Sequence, residues 1–152
     1  MNDTASGMSG CNLTGTYYHA VDAKGRINFP AKLREQLGET FWLSKGITDR
    51  FLTVYSQEGW EDLMRQIGSL RGPDGERMRR RICAGAAEVT PDKQGRILIP
   101  VPLREYAGLE TDSEIVVAGA GRKAEIWTKA LWMQEEDSFD PMAAAVLNDL
   151  CL

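Results

Sequence analysis

Residues 21–30 read VDAKGRINFP and residues 91–100 read PDKQGRILIP, so one phrase occurs twice in a chain of 152 residues. The same shift superposes Asp22, Gly25, Arg26, Ile27 and Pro30 on Asp92, Gly95, Arg96, Ile97 and Pro100, and carries Leu33-Arg34-Glu35 and Gly38 onto Leu103-Arg104-Glu105 and Gly108. Further on, Gly46 answers Gly119, Val54-Tyr55 answers Ile126-Trp127, and Trp60 answers Trp132. Identities this dense at one offset mark an internal duplication. Whatever one half folds into, the other must fold into as well. A half this short buries too little apolar surface to be stable alone, so the two halves must share a core.

Each half decodes into the same elements. TYYHAV at 16–21 is rich in aromatic and β-branched residues and is expected to be a strand. DAKG then places Asp and Gly at the two ends of a tight turn, and RINF returns as a second strand, which predicts a hairpin. Pro30 suits the start of a helix, AKLREQL supplies it, and Gly38 stops it. FWLSKG and FLTVYS predict a second hairpin with its turn at residues 46–50. The second half repeats the series as AAEVT, PDKQG, RILIP, PLREYAG, EIVVAG and AEIWT. Ser56 and Thr128 stand where helix N-caps are expected, before QEGWEDLMRQIGSL and KALWMQEED. In the first of these, Trp60, Leu63, Met64 and Ile67 share one face.

The expected fold is α+β and mainly β, two tandem repeats around a pseudo-twofold β-barrel core with short helices. The chain divides into a disordered leader at 1–12, a first repeat at 13–70, a linker with an Arg-rich helix at 71–83, a second repeat at 84–137, and an acidic tail at 138–152. In that tail MAAAVLNDL could be helical alone or against a partner, and its charge could repel DNA or pack on an adjacent subunit.

Several function classes are excluded early. No apolar run approaches the roughly 20 residues that a membrane helix needs, and the N-terminus has neither the basic nor the apolar region of a signal peptide. Cys11, Cys83 and Cys151 are odd in number and form no C-x-x-C pair, and His19 is the sole histidine, so no metal site and no cofactor are expected. A reducing, cytoplasmic setting follows, with Cys83 a buried small hydrophobe or a spectator. A histidine-based catalytic triad has nothing to use, and AGAGR at 118–122 lacks the Lys-Ser/Thr of a nucleotide loop, so it is expected to be a hairpin turn. Neither an enzyme nor a small-molecule substrate is expected. Trp42, Trp60, Trp127 and Trp132 are read as core.

The net charge of −4 argues at first against a nucleic-acid ligand. Its distribution reverses that. Residues 135–152 hold Glu135, Glu136, Asp137, Asp140 and Asp149 and no base; setting those five aside leaves 17 acids against 18 bases. The bases cluster around 24–34, 77–81 and 93–104, and local patches decide phosphate binding. Arg77 to Arg81 are read first as helix surface paired with Glu76 and Glu88, with a ring-to-ring or intersubunit contact and secondary phosphate contacts as the alternatives.

A turn needs only its Asp and Gly. Asp22 with Gly25, and Asp92 with Gly95, order the two loops, whereas the arginine after each Gly is not demanded by turn geometry. On a hairpin tip, Arg26 and Lys24 would form a narrow projection that fits the roughly 12 Å major groove. Arg suits such a task because its planar fork grips guanine edges or phosphates in two places.

The two D-x-x-G-R turns, DAKGR and DKQGR, each followed by an apolar pair, a proline and LRE, closely resemble the MraZ family, as do VYSQEGWEDL and EIWTKALWMQ. The resemblance spans about residues 13–152. It implies tandem AbrB-like (SpoVT–AbrB) units, a homo-oligomeric ring, and a nucleoid-associated transcriptional regulator, a repressor by expectation. Such a regulator binds direct repeats in the double-stranded promoter DNA of the division and cell-wall gene cluster. It implies Arg26 as the central DNA contact with Lys24 beside it, and Lys93 and Arg96 in the matching second loop. The loops differ: Lys24 directly precedes Gly25, whereas Gln94 precedes Gly95, so the second loop can differ in its contact. The alternative is a ring-forming regulator that grips a partner enzyme and needs no paired arginines.

Overall fold

The computed structural model describes residues 11–150. Strands β1 (Thr16–Ala20) and β2 (Arg26–Asn28) are followed by α1 (Ala31–Leu37), the hairpin β3 (Phe41–Lys45) and β4 (Leu52–Ser56), and α2 (Gln57–Gly68). Helix α3 (Gly72–Ala84) leads into β5 (Ala87–Val89), β6 (Arg96–Leu98), α4 (Val101–Ala107), the hairpin β7 (Glu114–Gly119) and β8 (Ala124–Thr128), then α5 (Lys129–Asp137) and α6 (Phe139–Val146). Of the leader expected at 1–12, residues 1–10 lie outside the described residues, while the Asn12 amide donates to Gln36 Oε1 of α1 at 2.9 Å. Cys151 also lies outside them.

Both late hairpins form as expected. The hairpins expected from the repeated phrase do not. β1 pairs with β7 of the other repeat, β5 pairs with β3, and β2 pairs with β6. The turn after Asp22 closes, with Asp22 N donating to Arg26 O at 2.9 Å, but the backbone on either side is taken by the second repeat. Val21 N donates to Ser113 O at 3.0 Å, and Phe29 N donates to Gly95 O at 2.9 Å. Each repeat therefore lends its first two strands to the other.

The strands lie in a six-stranded sheet of order β1-β7-β8-β4-β3-β5 and a two-stranded ribbon, β2-β6. Both are unchanged when the repeats are exchanged: Ile27 faces Ile97 in the ribbon and Thr53 faces Glu125 in the sheet. The barrel expected from the sequence is absent. The ladder runs from β1 to β5 as an open sheet, and β2 and β6 pair apart from it in the ribbon.

One face of the sheet, through Phe41, Leu43, Val54, Ile115, Val117 and Ile126, packs against Ile27, Phe29, Ile97 and Ile99 from the ribbon and Leu33 and Leu103 from α1 and α4. The opposite face carries the tryptophans. Trp42 stacks on Trp60 at 4.9 Å and 8°, and Trp127 meets Trp132 edge-on at 5.6 Å. Ser56 and Thr128 cap their helices, accepting from Gly59 N at 3.0 Å and Leu131 N at 3.1 Å. AGAGR is a hairpin turn, closed by Ala120 N donating to Lys123 O at 2.8 Å. Cys83, read as buried or a spectator, is exposed beside Met64.

The ribbon's inner face is what joins it to the sheet. Ile27→Ala and Ile97→Ala should each destabilise the fold by about 2–5 kcal/mol, as expected for emptying a packed core position. Leu98→Ala, on the exposed outer face of the same ribbon, should change stability by less than about 0.5 kcal/mol. Denaturant unfolding of the three variants checks the difference.

Candidate nucleic-acid interface

The two loops are built identically. Asp22 Oδ1 accepts from the backbone amides of Lys24 at 2.8 Å and Arg26 at 2.9 Å, and its Oδ2 accepts from Arg26 Nε at 2.9 Å. Asp92 Oδ1 accepts from Gln94 and Arg96 amides at 2.9 Å each, and Oδ2 from Arg96 Nε at 2.8 Å. Each carboxylate thus fixes both the loop backbone and the arginine that leaves it. Nε alone is engaged. Among the described residues no hydrogen bond within the chain uses the two terminal nitrogens of Arg26 or Arg96, so the fork that can grip a guanine edge or a phosphate stays open.

Gly25 and Gly95 sit at φ of 82° and 83°, where an L side chain is strained. A Cβ at Gly25 would also come within 2.8 Å of Arg104 Nε, and one at Gly95 within 2.8 Å of an Arg34 terminal nitrogen. Each loop is therefore packed against an arginine of the other repeat. Those arginines are anchored in turn, Arg34 Nε donating to Phe29 O at 3.0 Å and Arg104 Nε to Ile99 O at 3.3 Å. The loops also exchange backbone bonds through the ribbon, Ile99 N donating to Gly25 O at 3.2 Å.

The expected site residues come together, though by another route. Arg26 does not stand at the tip of a β1–β2 hairpin. It opens β2, antiparallel to β6, with Arg26 opposite Leu98 and Arg96 opposite Asn28. Alternation along the ribbon turns Ile27 and Ile97 inward and puts Arg26, Asn28, Arg96 and Leu98 on the outer face. Lys24 and Lys93 are exposed beside them.

Arg34 and Arg104 were not assigned to the site from the sequence. Their signal was present in the LRE that follows both prolines. With them the surface gathers Lys24, Arg26, Arg34, Lys93, Arg96 and Arg104 around two loop-building carboxylates. A cleft of about 590 Å³ beside the second loop is lined by Glu35, Glu39 and Asp92 as well as Arg34.

The arginines of α3 do not form the expected pairs. No ion pair among the described residues joins them to Glu76 or Glu88; Arg79 instead donates to Ile67 O at 3.1 Å and Leu70 O at 2.8 Å, closing the end of α2.

Backbone donors from Arg26 and Lys24, together with the Arg26 side chain, hold the Asp22 carboxyl below the usual carboxylate range, and Asp92 is lowered in the same way by Arg96 and Gln94. A carboxyl depressed in the folded state contributes stability that is complete above its unfolded value, about 3.9, and lost as pH falls through the lower folded value. Asp22→Asn/Asp92→Asn should therefore lower the unfolding midpoint at pH 7, and the gap from the unchanged chain should shrink as pH falls below about 4. A gap independent of pH would show that the carboxylates do not hold the loops by charge.

The sequence matches the family model described as MraZ protein twice, over residues 13–81 and 82–148. Relatives bear the name transcriptional regulator MraZ. The one from Acetivibrio thermocellus is 50% identical over 120 residues, covering 78% of this chain and 82% of its own. That from Heliobacterium modesticaldum is 42% identical over 138 residues, covering 90% and 94%. That from a Thermoanaerobacter species, strain X514, is 44% identical over 130 residues, covering 84% and 89%. With both repeats matched and relatives spanning nearly the whole chain, this protein belongs to the MraZ family.

Proposed function

We propose that this chain is a DNA-binding transcriptional regulator that meets duplex DNA with the outer face of the β2–β6 ribbon. The observation that carries the reading is the pair of arginines tethered at Nε by Asp22 and Asp92, their terminal nitrogens without a hydrogen bond among the described residues. A side chain fixed in this way loses little rotamer freedom on binding. Arg26 is the leading base or phosphate contact, Lys24 a phosphate contact, and Arg96 and Lys93 the weaker second loop. The names of the relatives support the same function.

The finer parts of the proposal follow the family resemblance. The repeats are AbrB-like units, divided at residues 13–70 and 84–137 by the 71–83 linker and followed by the tail from 138. Several copies form a ring in a cytoplasmic, nucleoid-associated repressor, and the ring engages repeated promoter boxes of the division and cell-wall genes. A chain of this design performs no catalysis. One ribbon with a few cations gives weak, sequence-independent affinity. Several ribbons at fixed spacing make later contacts intramolecular, which raises affinity by roughly 10²–10⁴ and favours direct repeats.

A binding titration on the DNA upstream of the chain's own gene, repeated over a salt series, tests this. Arg26→Ala should weaken binding at one site by about 5–150-fold, the value of a good bidentate base contact, and relax sequence preference. Arg96→Ala should weaken it less. Lys24→Ala should weaken all sequences alike and reduce the salt slope by about 1. Unchanged affinity in Arg26→Ala would remove the ribbon as the interface and leave the regulator that grips a protein partner.

A further inference from the structure

The duplication supplies an internal control, because a feature packed in one repeat and bare in the other needs a separate explanation. In the first repeat, α2 and α3 cover the tryptophan face of the sheet, burying Trp60, Ile67 and Ile82. The offset that sets Trp60 on Trp132 sets Ile67 on Phe139. Ile67 is 6% exposed and Phe139 is 55% exposed. Helix α5 buries no residue at all. Of the eleven large hydrophobic side chains exposed among the described residues, six fall here: Met133, Phe139, Met142, Val146, Leu147 and Leu150. The same segment carries Glu135, Glu136, Asp137 and Asp140, and no basic residue follows Lys129. α5 rests on β7 and β8, but the apolar side chains of this acidic helix pair are left exposed among the described residues.

The opposite surface lies where the end of β3 and the linker helix α3 meet the start of α4. Lys45, Arg77, Arg80 and Arg81 line a cleft of about 420 Å³ floored by Ala84, Gly85 and Pro102. Beside it the Tyr106 ring has Lys45 Nζ at 5.2 Å, Arg50 Cζ at 4.9 Å and Arg81 Cζ at 4.8 Å from its centre. Arg81 also donates to the Tyr106 hydroxyl. None of these five cations forms an ion pair with a carboxylate among the described residues. Ile47 and Val101, 51% and 52% exposed, neighbour it in sequence at Lys45 and Pro102. Cations gathered without an anion repel one another, and a run of carboxylates relieves them. The ring of Tyr106 already has cations around it, so the cleft suits carboxylates rather than a stacked base.

The two surfaces cannot meet within one chain. α5 packs on β7 and β8, toward the β1 edge of the sheet, whereas the cleft adjoins β3, toward the β5 edge. We infer that the acidic C-terminal helix pair of one copy docks into the arginine cleft of a second copy, with carboxylates entering among the cations and its apolar side chains covering Ile47 and Val101. Two different patches meet in this contact, so it is head-to-tail, and it propagates into a ring when the rotation closes. The inference rests on the reading of the chain as a multi-copy DNA binder and names the contact that builds the assembly.

Charge reversal tests it on the full chain, at Arg77 and Arg80, which are exposed and form no ion pair among the described residues, and at the exposed Glu135 and Glu136. Arg77→Glu/Arg80→Glu and Glu135→Lys/Glu136→Lys should each keep the far-ultraviolet spectrum and melting temperature but fall to monomer mass in sedimentation velocity. Mixed in equal amounts they should reassemble, since every cleft then finds a tail of opposite charge. Raising salt should loosen the unchanged chain. An unchanged chain that is monomeric, reversed variants that keep its mass, or a mixture that stays monomeric would each overturn the inference. If Arg77→Glu/Arg80→Glu kept its mass and lost DNA binding, the cleft would be a phosphate site, which overturns the docking and leaves the ribbon reading standing. Arg26→Ala should keep the assembled mass, so the two proposals fail separately.

Discussion

The antiparallel contact of Ile27 with Ile97 is the point on which the molecule turns. It lies where the two repeats are related to each other, its side chains seal the core, and its backbone sets the two Asp-x-x-Gly-Arg loops side by side. Without it each loop would end in a free strand. With it, the chain places two arginines at a spacing fixed by β-sheet geometry and leaves no flexible linker between them. The exchange of β1 and β5 completes the arrangement, because each repeat's hairpin is finished by a strand from the other. Folding and the construction of the interface are therefore one event.

Duplication then allows the symmetry to be broken where function differs. At the ribbon the halves agree almost atom for atom, down to the carboxylate that binds Nε. Away from it they diverge. Tyr106 occupies the place of Gln36, and where Gln36 holds Cys11 and Asn12, Tyr106 gathers Lys45, Arg50 and Arg81. The helix pair of the first repeat is closed over its tryptophans, and that of the second is open. The shared half of the structure carries the surface proposed to meet DNA, and the divergent half carries two unlike surfaces, as the inferred head-to-tail contact requires.

Much of this was legible in the sequence, for reasons that are local. Asp22 and Gly25 announced their turn, Ser56 and Thr128 their caps, and FWLSKG–FLTVYS its hairpin, because a few neighbouring residues decide each of them. The pairing of β1 with β7 was not legible. TYYHA shows which of its faces is half-buried but carries no record of which neighbour accepts its hydrogen bonds, and an Asp-x-x-Gly turn serves a hairpin and an exchanged strand equally well. The same limit hid Arg34 and Arg104, whose task is to lie over a glycine roughly 60–80 positions away in sequence. It also sent Arg79 and Arg81 to expected carboxylates, when their partners are a helix end and a tyrosine.

A carboxylate beside each arginine proposed to contact DNA looks self-defeating, since it repels phosphate and cancels part of the charge. Exposure decides the balance. Asp22 and Asp92 are near the surface, where a single charge is strongly screened, so the repulsion they add at a phosphate several ångströms away is small. Their hydrogen bonds act at 2.8–2.9 Å on the arginine itself, where screening matters least. An unheld arginine carries about 2 kcal/mol of rotamer entropy, which binding would have to remove at every loop of an assembly. Tethering Nε removes much of it during folding and leaves both terminal nitrogens for the ligand. The acid is thus spent on geometry, and in the proposed ring the gain would grow with each copy bound at once.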